Sequence, residues 1–261
     1  MPRPVSVTYR VWPTAEALAA AAAEYFASAV AAAVEERGVA RVAISGGTTP
    51  KAMFALLSDR SRPIFAQVPW EKLYLFWVDE RCVPPTDKDS NYRMTKEAML
   101  DHVPLPASQI HRMEGELEPE VAAARYEAAI RTEFGLDRSG NPVFDLVLLG
   151  MGEDGHTASL FPHTDALFEL GRIAVANHVT QKETWRITLT WPVINRAREA
   201  AFLIEGAAKA QVVRDVFVGA YDPEAKPSQL IRPASGRLEL LLDASAAAML
   251  PEAAGGTLEL A

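Results

Sequence analysis

The sequence predicts an α/β fold: a doubly wound, mostly parallel sheet of Rossmann-like topology, flanked by helices and with room for a small extra lobe. Two observations predict it. Short apolar runs alternate with helical patterns, and three of these runs end in glycines or clustered charges, where strands of such sheets bind ligands. The 261 residues, 49% of them hydrophobic, contain no repeat or long linker, so we expect a single domain over 1–261.

The elements follow in order from these patterns. An alanine-rich, helix-favouring stretch covers 14–36, with Thr14 as its N-cap and Gly38 as its stop. Apolar runs of strand length and helical periods then alternate to the end of the chain. They predict strands at 42–44, 73–78, 144–149, 172–178, 186–191, 200–205 and 238–242, and helices at 52–57, 92–102, 119–134, 207–218 and 244–250.

Charge and composition narrow the class of protein. The net charge of −8 and the lack of a basic stripe argue against a nucleic-acid partner. The single cysteine, Cys82, cannot form an intramolecular disulfide, and no run of about 18 uncharged apolar residues indicates a membrane span. The segment 1–13 lacks the pattern of a secretory signal. We therefore expect a cytoplasmic protein that binds neither membrane nor nucleic acid.

The first notable strand end is 45–50, which reads Ser-Gly-Gly-Thr-Thr-Pro. Gly46 and Gly47 let the backbone turn tightly against a ligand, Thr48 offers a hydroxyl donor, and Pro50 starts a helix whose N-terminus favours anions. These properties suit a phosphate group, although an ordinary turn with a threonine cap uses the same residues. No Gly-Lys-Ser/Thr follows, which excludes a Walker loop.

The second strand end carries three consecutive charges, Asp79, Glu80 and Arg81, after an apolar run. A buried strand that leads into a functional loop is one interpretation of this pattern, and a solvated ion-pair cluster is the alternative. Cys82 comes next, but no histidine lies near it in sequence to activate it as a nucleophile.

The third strand end, 150–162, begins Gly-Met-Gly-Glu-Asp-Gly-His. Its glycines match a dinucleotide-binding pattern, but Glu153 and Asp154 would face the pyrophosphate, and no acidic residue ends a strand about 20 residues later. The segment instead places His156 beside two carboxylates that can orient an imidazole and raise its basicity. We expect His156 to be a catalytic base with Glu153 and Asp154 as its partners; a hydrogen-bonded structural histidine is the alternative.

Signatures of other catalytic sites are missing from the sequence. It contains no Gly-x-Ser-x-Gly elbow and no His-Glu-x-x-His helix. Asp154, His156 and His163 match no zinc spacing, so we expect no metal. Hydrolysis by an activated water fits this set of residues better.

Five ordered segments give the chain a resemblance to the 6-phosphogluconolactonases, within the glucosamine-6-phosphate isomerase/deaminase superfamily. They span most of the chain, and together they are far more specific than a single motif. The segments are ISGGTTPKAMFALL (44–57), FWVDERCVPPTDKDSNYRM (76–94), FDLVLLGMGEDGHTASLFPHT (144–164), WRITLTWPVINRAREAAFLIEGAAKAQVVRDV (185–216) and SGRLELLLDASAA (235–247).

The resemblance implies a reaction and a role for each strand end. The reaction is hydrolysis of 6-phospho-D-glucono-1,5-lactone to 6-phospho-D-gluconate, the second step of the oxidative pentose phosphate pathway, with His156 as general base on water and no cofactor. Backbone N–H groups of the glycine turns or Arg81 would stabilise the oxyanion. The expected partner is this small lactone, and the expected assembly is a monomer or small homo-oligomer. The substrate-binding residues are Gly46, Gly47, Thr48, Asp79, Arg81, Arg186 and Lys209.

One stretch departs from the family pattern. Lactonases of this kind often carry Lys-Pro-Pro before the segment with Arg186, whereas this chain reads HVTQKET at 178–184. The departure leaves the roles of His178 and Lys182 open.

Two other functions compete with the lactonase. A deaminase of an amino sugar phosphate would carry Asp-Glu-Tyr at the second strand end and Asn-Glu after the histidine; this chain has Arg81, Leu160 and Phe161 there. A sugar-phosphate sensor of the transcription-regulator type usually has an N-terminal helix-turn-helix, and 1–40 leaves room for one helix. The lactonase is therefore the preferred interpretation.

Overall fold

The computed structural model describes residues 5–234, 237–251 and 255–260. Residues 235–236, which begin the last matched segment, lie outside these ranges. The described residues form two sheets. Their strands are β1 (Val5–Trp12), β2 (Ala40–Ile44), β3 (Leu73–Trp77), β4 (Asp79–Arg81), β5 (Ile110–His111), β6 (Leu146–Leu149), β7 (Ala174–Val179), β8 (Thr184–Leu189), β9 (Glu199–Ile204), β10 (Arg237–Asp243) and β11 (Gly255–Leu260).

Helices flank the sheets, and their ends follow local sequence signals. The first begins after Thr14, whose hydroxyl accepts a hydrogen bond from Ala17 N at 3.2 Å, and it ends at Gly38, which has a left-handed φ of 80°. The helices are α1 (Ala15–Arg37), α2 (Thr48–Ser58), α3 (Pro63–Gln67), α4 (Asn91–Thr95) with a π-helical continuation (Lys96–Leu100), α5 (Pro119–Glu133), α6 (Trp191–Ile194) and α7 (Ala210–Phe217). Short 3-10 turns cover Trp70–Lys72, Ala107–Gln109, Asp165–Phe168, Thr180–Lys182, Ala207–Lys209 and Pro227–Leu230.

The larger sheet has eight strands in the order β11-β1-β10-β9-β6-β2-β3-β5. Neighbouring strands are parallel except β1 and β11, so the predicted mostly parallel sheet is confirmed. After β2, the next strand of this sheet is β3, which lies on one side of β2. After β6, the next strand of this sheet is β9, which lies on the opposite side. A topological switch point therefore lies between β2 and β6, where sheets of this kind bind ligands.

The smaller sheet is antiparallel and has the order β4-β8-β7. The predicted strands at 172–178 and 186–191 correspond to β7 and β8, but they belong to this sheet and not to the parallel one. The connection between them, 180–183, suits a hairpin and is too short for a parallel crossover, which needs about a dozen residues. This sheet corresponds to the small extra lobe that the sequence allowed.

Strands β1, β4, β5 and β11 and the short helices α3 and α6 were not predicted, and one predicted helix, at 244–250, does not form. Strand β1 was missed, although its buried Val7 and Tyr9 alternate with exposed residues, and its antiparallel neighbour β11 was missed with it. The helix predicted at 244–250 is a series of turns, in which the Asp243 side chain accepts from Ala246 N at 2.8 Å. Backbone hydrogen bonds in this segment close single turns, from Ala247 N to Asp243 O at 3.1 Å and from Leu250 N to Ala247 O at 2.9 Å.

Helix α1 packs on one face of the larger sheet. By length and mean hydropathy, 1.6, it also qualifies as a membrane span, but Leu18, Phe26 and Val30 are fully buried inside the fold. The opposite face of the larger sheet shares a hydrophobic core with the smaller one, through residues such as Phe202 and Ile187. That the whole of 1–261 forms one domain remains a prediction.

Candidate active site

A cleft of about 260 Å³ opens at the carboxyl ends of β2, β3, β6 and β9. All three strand ends identified in the sequence contribute to its wall. The fourth, after β9, contributes Glu205, which sequence reasoning missed. The predicted residues that line the cleft are Gly46, Gly47, Thr48, Asp79, Arg81, His156, Arg186 and Lys209.

His156 lies on a tight turn after β6 and is held by Asp154. Its Nδ1 lies 2.5 Å from Asp154 Oδ1, and its ring stacks on Phe161 with centroids 3.9 Å apart. Burial alone would raise the pKa of Asp154, but the hydrogen bond and charge of His156 outweigh it and hold that pKa at about 2. Asp154 is therefore ionised at neutral pH and accepts the Nδ1 proton, which leaves the Nε2 lone pair free to act as a base.

Glycines shape the turn that carries the histidine. A Cβ on Gly152 would lie 2.1 Å from His156 Nδ1 and 2.6 Å from Asp154 Oδ1. The N–H of Gly152 donates to His156 O at 2.9 Å, and the N–H of Gly155 donates to Gly152 O at 3.0 Å. The N–H groups of Gly152 and Gly155, two of those considered as donors to the oxyanion, thus donate to carbonyl groups within the turn itself.

The two carboxylates predicted as partners of His156 differ in position. Both are exposed and neither lines the cleft wall, but Asp154 contacts the imidazole of His156. A role for Glu153 rests on its place in the sequence alone. Within the described ranges, no group of three or more His, Cys, Asp or Glu side chains is arranged to hold a metal ion, so His163 does not gather with this pair.

The charged strand end at β4 is buried. Asp79 and Glu80 are 8% and 2% exposed, so the interpretation as a solvated ion-pair cluster is wrong. Burial raises the pKa of Glu80, and its hydrogen bonds act in the opposite direction. Glu80 anchors the loop after β4 and the start of α4. It accepts hydrogen bonds of 2.8 to 3.0 Å from the N–H groups of Arg81, Asn91 and Tyr92 and from the Ser90 hydroxyl.

Asp79 joins three parts of the cleft. The Ser159 hydroxyl donates to its Oδ2 at 2.7 Å, and the Asn91 amide donates to its Oδ1 at 3.3 Å. Asn91 in turn packs against Gly46, where a Cβ would lie 1.9 Å from the amide oxygen. Glycine at position 46 is thus required by the close approach of Asn91. Both carboxylate oxygens of Asp79 therefore accept hydrogen bonds from the protein. Asp79 was predicted to bind substrate, and in the structure it links Asn91 and Ser159 in the wall of the cleft.

Four cations line the cleft: Arg81, Lys182, Arg186 and Lys209. Strands β4 and β8 place Arg81 opposite Arg186. Their guanidinium groups donate to neutral oxygens, Arg81 to Asp89 O at 2.6 Å and Arg186 to the Thr184 hydroxyl at 3.0 Å. Burial and then the charge of Arg81 lower the pKa of Arg186. Adjacent like charges of this kind favour the binding of an anion.

The two residues of the departing segment have different positions. Lys182 lines the cleft, with its Nζ 5.1 Å from the centre of the Phe161 ring. His178 packs against Trp185, with ring centroids 5.0 Å apart, outside the wall. Lys182 therefore belongs to the candidate site and His178 does not.

Known proteins resemble this chain over most of its length. Residues 13–240 match the family model for glucosamine-6-phosphate isomerases/6-phosphogluconolactonase. A 6-phosphogluconolactonase of Synechocystis sp. is 44% identical over 82% of this chain and 86% of its own length, and one of Nostoc sp. is 39% identical over 93% and 98%. The solved 6-phosphogluconolactonase of Trypanosoma cruzi is 27% identical, with a TM-score of 0.80 over 94% of this chain and 97% of that one. The chain therefore belongs to the glucosamine-6-phosphate isomerase/6-phosphogluconolactonase family.

Proposed function

We propose that this protein hydrolyses 6-phospho-D-glucono-1,5-lactone to 6-phospho-D-gluconate, the second step of the oxidative pentose phosphate pathway. The observation that carries the proposal is that one cleft contains both a base, His156 oriented by Asp154, and the cations Arg81, Arg186 and Lys209. An imidazole with a free Nε2 activates water, and clustered cations bind phosphate. The relatives named 6-phosphogluconolactonase support the same reaction.

The reaction is a general-base hydrolysis. Nε2 of His156 takes a proton from water as the water oxygen forms a bond to C1 of the lactone, and Asp154 stabilises the imidazolium. The tetrahedral intermediate then breaks the bond between C1 and the ring oxygen, which recovers the proton from Nε2. The product is the open-chain acid. Base assistance of this kind contributes about 10²–10⁴-fold in rate.

The phosphate is held by the first strand end and by Lys209. Gly47, with a φ of 119°, precedes α2 and leaves the N-terminus of this helix at the cleft. Gly206, with a φ of 97°, lets the chain turn after β9 so that Lys209 reaches the same wall. The phosphate is a remote handle, since it does not take part in the bond changes at C1.

Lys209→Ala is expected to weaken the binding of 6-phosphogluconate about 10- to 100-fold, because a charge-assisted hydrogen bond is lost. Thr48→Ala is expected to act in the same direction. Titration calorimetry measures both. Lys72→Ala is the matched control, because Lys72 is exposed and lies at the amino end of β3, whereas the cleft lies at the carboxyl ends of the strands. Product binding by Lys209→Ala as tight as that of the wild type would place the phosphate elsewhere.

The deaminase alternative conflicts with the residues around the histidine. A deaminase must also move a proton between adjacent carbons, which needs a second acid-base group. Leu160 and Phe161 occupy the positions where the sister enzymes are expected to carry Asn and Glu; they are 0% and 3% exposed, and Phe161 stacks on His156. Neither side chain can transfer a proton.

A comparison of substrates tests the proposed function. The purified, chelator-treated protein is expected to hydrolyse 6-phosphogluconolactone well above the spontaneous rate, to act poorly on unphosphorylated gluconolactone, and to release no ammonia from glucosamine 6-phosphate. Ammonia release without lactone hydrolysis would establish the deaminase. Tight binding of sugar phosphates with neither reaction would establish the sensor.

Location and assembly belong to the same proposal. We propose a cytoplasmic enzyme that acts as a monomer or small homo-oligomer and needs no cofactor. Size-exclusion chromatography with light scattering measures the assembly, and activity that survives chelation supports the independence from metal.

A further inference from the structure

The cleft wall contains a carboxylate beside the residues proposed to bind phosphate. Glu205 follows β9, and its Oε1 accepts a hydrogen bond from the Thr48 hydroxyl at 3.0 Å. Thr48 is the first residue of α2, and Glu205, Thr48 and Lys209 all line the cleft. An acidic group therefore lies within the subsite where an anion is expected.

The contact made by Glu205 does not neutralise it. Its partner, Thr48, is an uncharged hydroxyl, so the negative charge remains in the wall of the cleft. The contact also occupies the one proton that Thr48 Oγ1 can donate. A phosphate that accepts that proton has to replace Glu205 as the partner of Thr48, and it then lies close to a like charge.

We propose that Glu205 sets the affinity of this cleft for phosphate-bearing ligands, by opposing its cations and by competing for the Thr48 hydroxyl. The inference rests on the proposed function, which puts the substrate phosphate in this subsite. Both effects lower the affinity for substrate and product alike. Glu205 is thus a residue that limits affinity rather than one that contributes to binding.

Weaker phosphate binding favours turnover, because it speeds the release of the product. The lactone carries only the charge of its phosphate, whereas the product gains a carboxylate, so the product is more negative than the substrate. A wall of cations with no opposing charge would hold the product longest, and product release limits kcat in many enzymes. Glu205 shortens the residence of the product at the cost of a higher KM.

Glu205→Gln tests the inference directly, because glutamine keeps an acceptor for Thr48 at the same size and removes the charge. We expect the dissociation constants of inorganic phosphate and 6-phosphogluconate to fall about tenfold at low ionic strength. The gain should shrink as salt is added, since the opposing charge is at the wall of an open cleft. Glu71→Gln is the matched control and should bind phosphate as the wild type does, because Glu71 is exposed and precedes β3.

Lys209→Ala, measured in parallel, separates this inference from the proposed function. If Lys209→Ala weakens phosphate binding while Glu205→Gln leaves it unchanged or weaker, Glu205 does not have this role and the proposed function stands. If neither variant changes phosphate binding, the phosphate binds outside this subsite and the inference about Glu205 fails, whereas the proposed function is decided separately by the assay of lactone hydrolysis. Tighter binding that does not depend on salt would also contradict the electrostatic role of Glu205.

Discussion

His156→Ala is expected to lower kcat about 10²-fold or more, while the fold and the binding of 6-phosphogluconate survive. The substitution removes the Nε2 that takes the proton from water, and it leaves the cations Arg186 and Lys209 in the cleft. The remaining rate then comes from positioning and electrostatic stabilisation alone. Lactone hydrolysis, corrected for the spontaneous reaction at constant pH, measures the change.

His178→Ala is the matched control for this experiment. His178 lies against Trp185 outside the cleft wall, so its removal should leave kcat at the wild-type value. Calorimetry with 6-phosphogluconate checks that His156→Ala still binds product. A folded His156→Ala protein with nearly normal kcat would show that another group activates the water.

Much of the cleft could be predicted because its strand ends are local patterns. An apolar run followed by glycines or charges is visible in a few residues, and the segments 45–50, 79–81 and 150–162 all contribute to the wall. The strand end after β9 was recognised only through Lys209. Glu205 gave no signal, because a single acidic residue after a strand is common on protein surfaces.

The supporting contacts depend on topology and so could not be predicted. Asp79 is held by Asn91 and Ser159, which lie 12 and 80 positions away in the sequence. The hairpin between β7 and β8 was not predicted either. The residue with a left-handed backbone in its turn is Glu183, with a φ of 48°, whereas a glycine or asparagine at that position would have indicated a turn. Local patterns predict elements well, and long-range contacts decide which strands become neighbours.

Gly152→Ala is expected to lower kcat about 10²-fold, although position 152 supplies no group to the reaction. The added Cβ would lie 2.1 Å from Nδ1 and 2.2 Å from Cε1 of His156, and 2.6 Å from Asp154 Oδ1. All three distances are shorter than a real contact, so the imidazole and its carboxylate partner have to move. Displacing a catalytic group by about 1 Å costs roughly 10²-fold in rate. Gly152 is not among the glycines with positive φ, so the defect is displacement of the pair and not backbone strain.

Measurement of kcat, product affinity and thermal unfolding separates the causes for Gly152→Ala. We expect the dissociation constant of 6-phosphogluconate to stay within a few-fold of the wild type, because Lys209 and the arginines are not touched by the added methyl group. Gly171→Ala is the matched control, since it too lacks a positive φ and the nearest atom to its added Cβ is Glu169 Oε1 at 3.6 Å. Equal losses of kcat, affinity and Tm would indicate general unfolding. Retained kcat would show that the contact between His156 and Asp154 can shift without cost, so that the geometry of this pair does not limit the reaction.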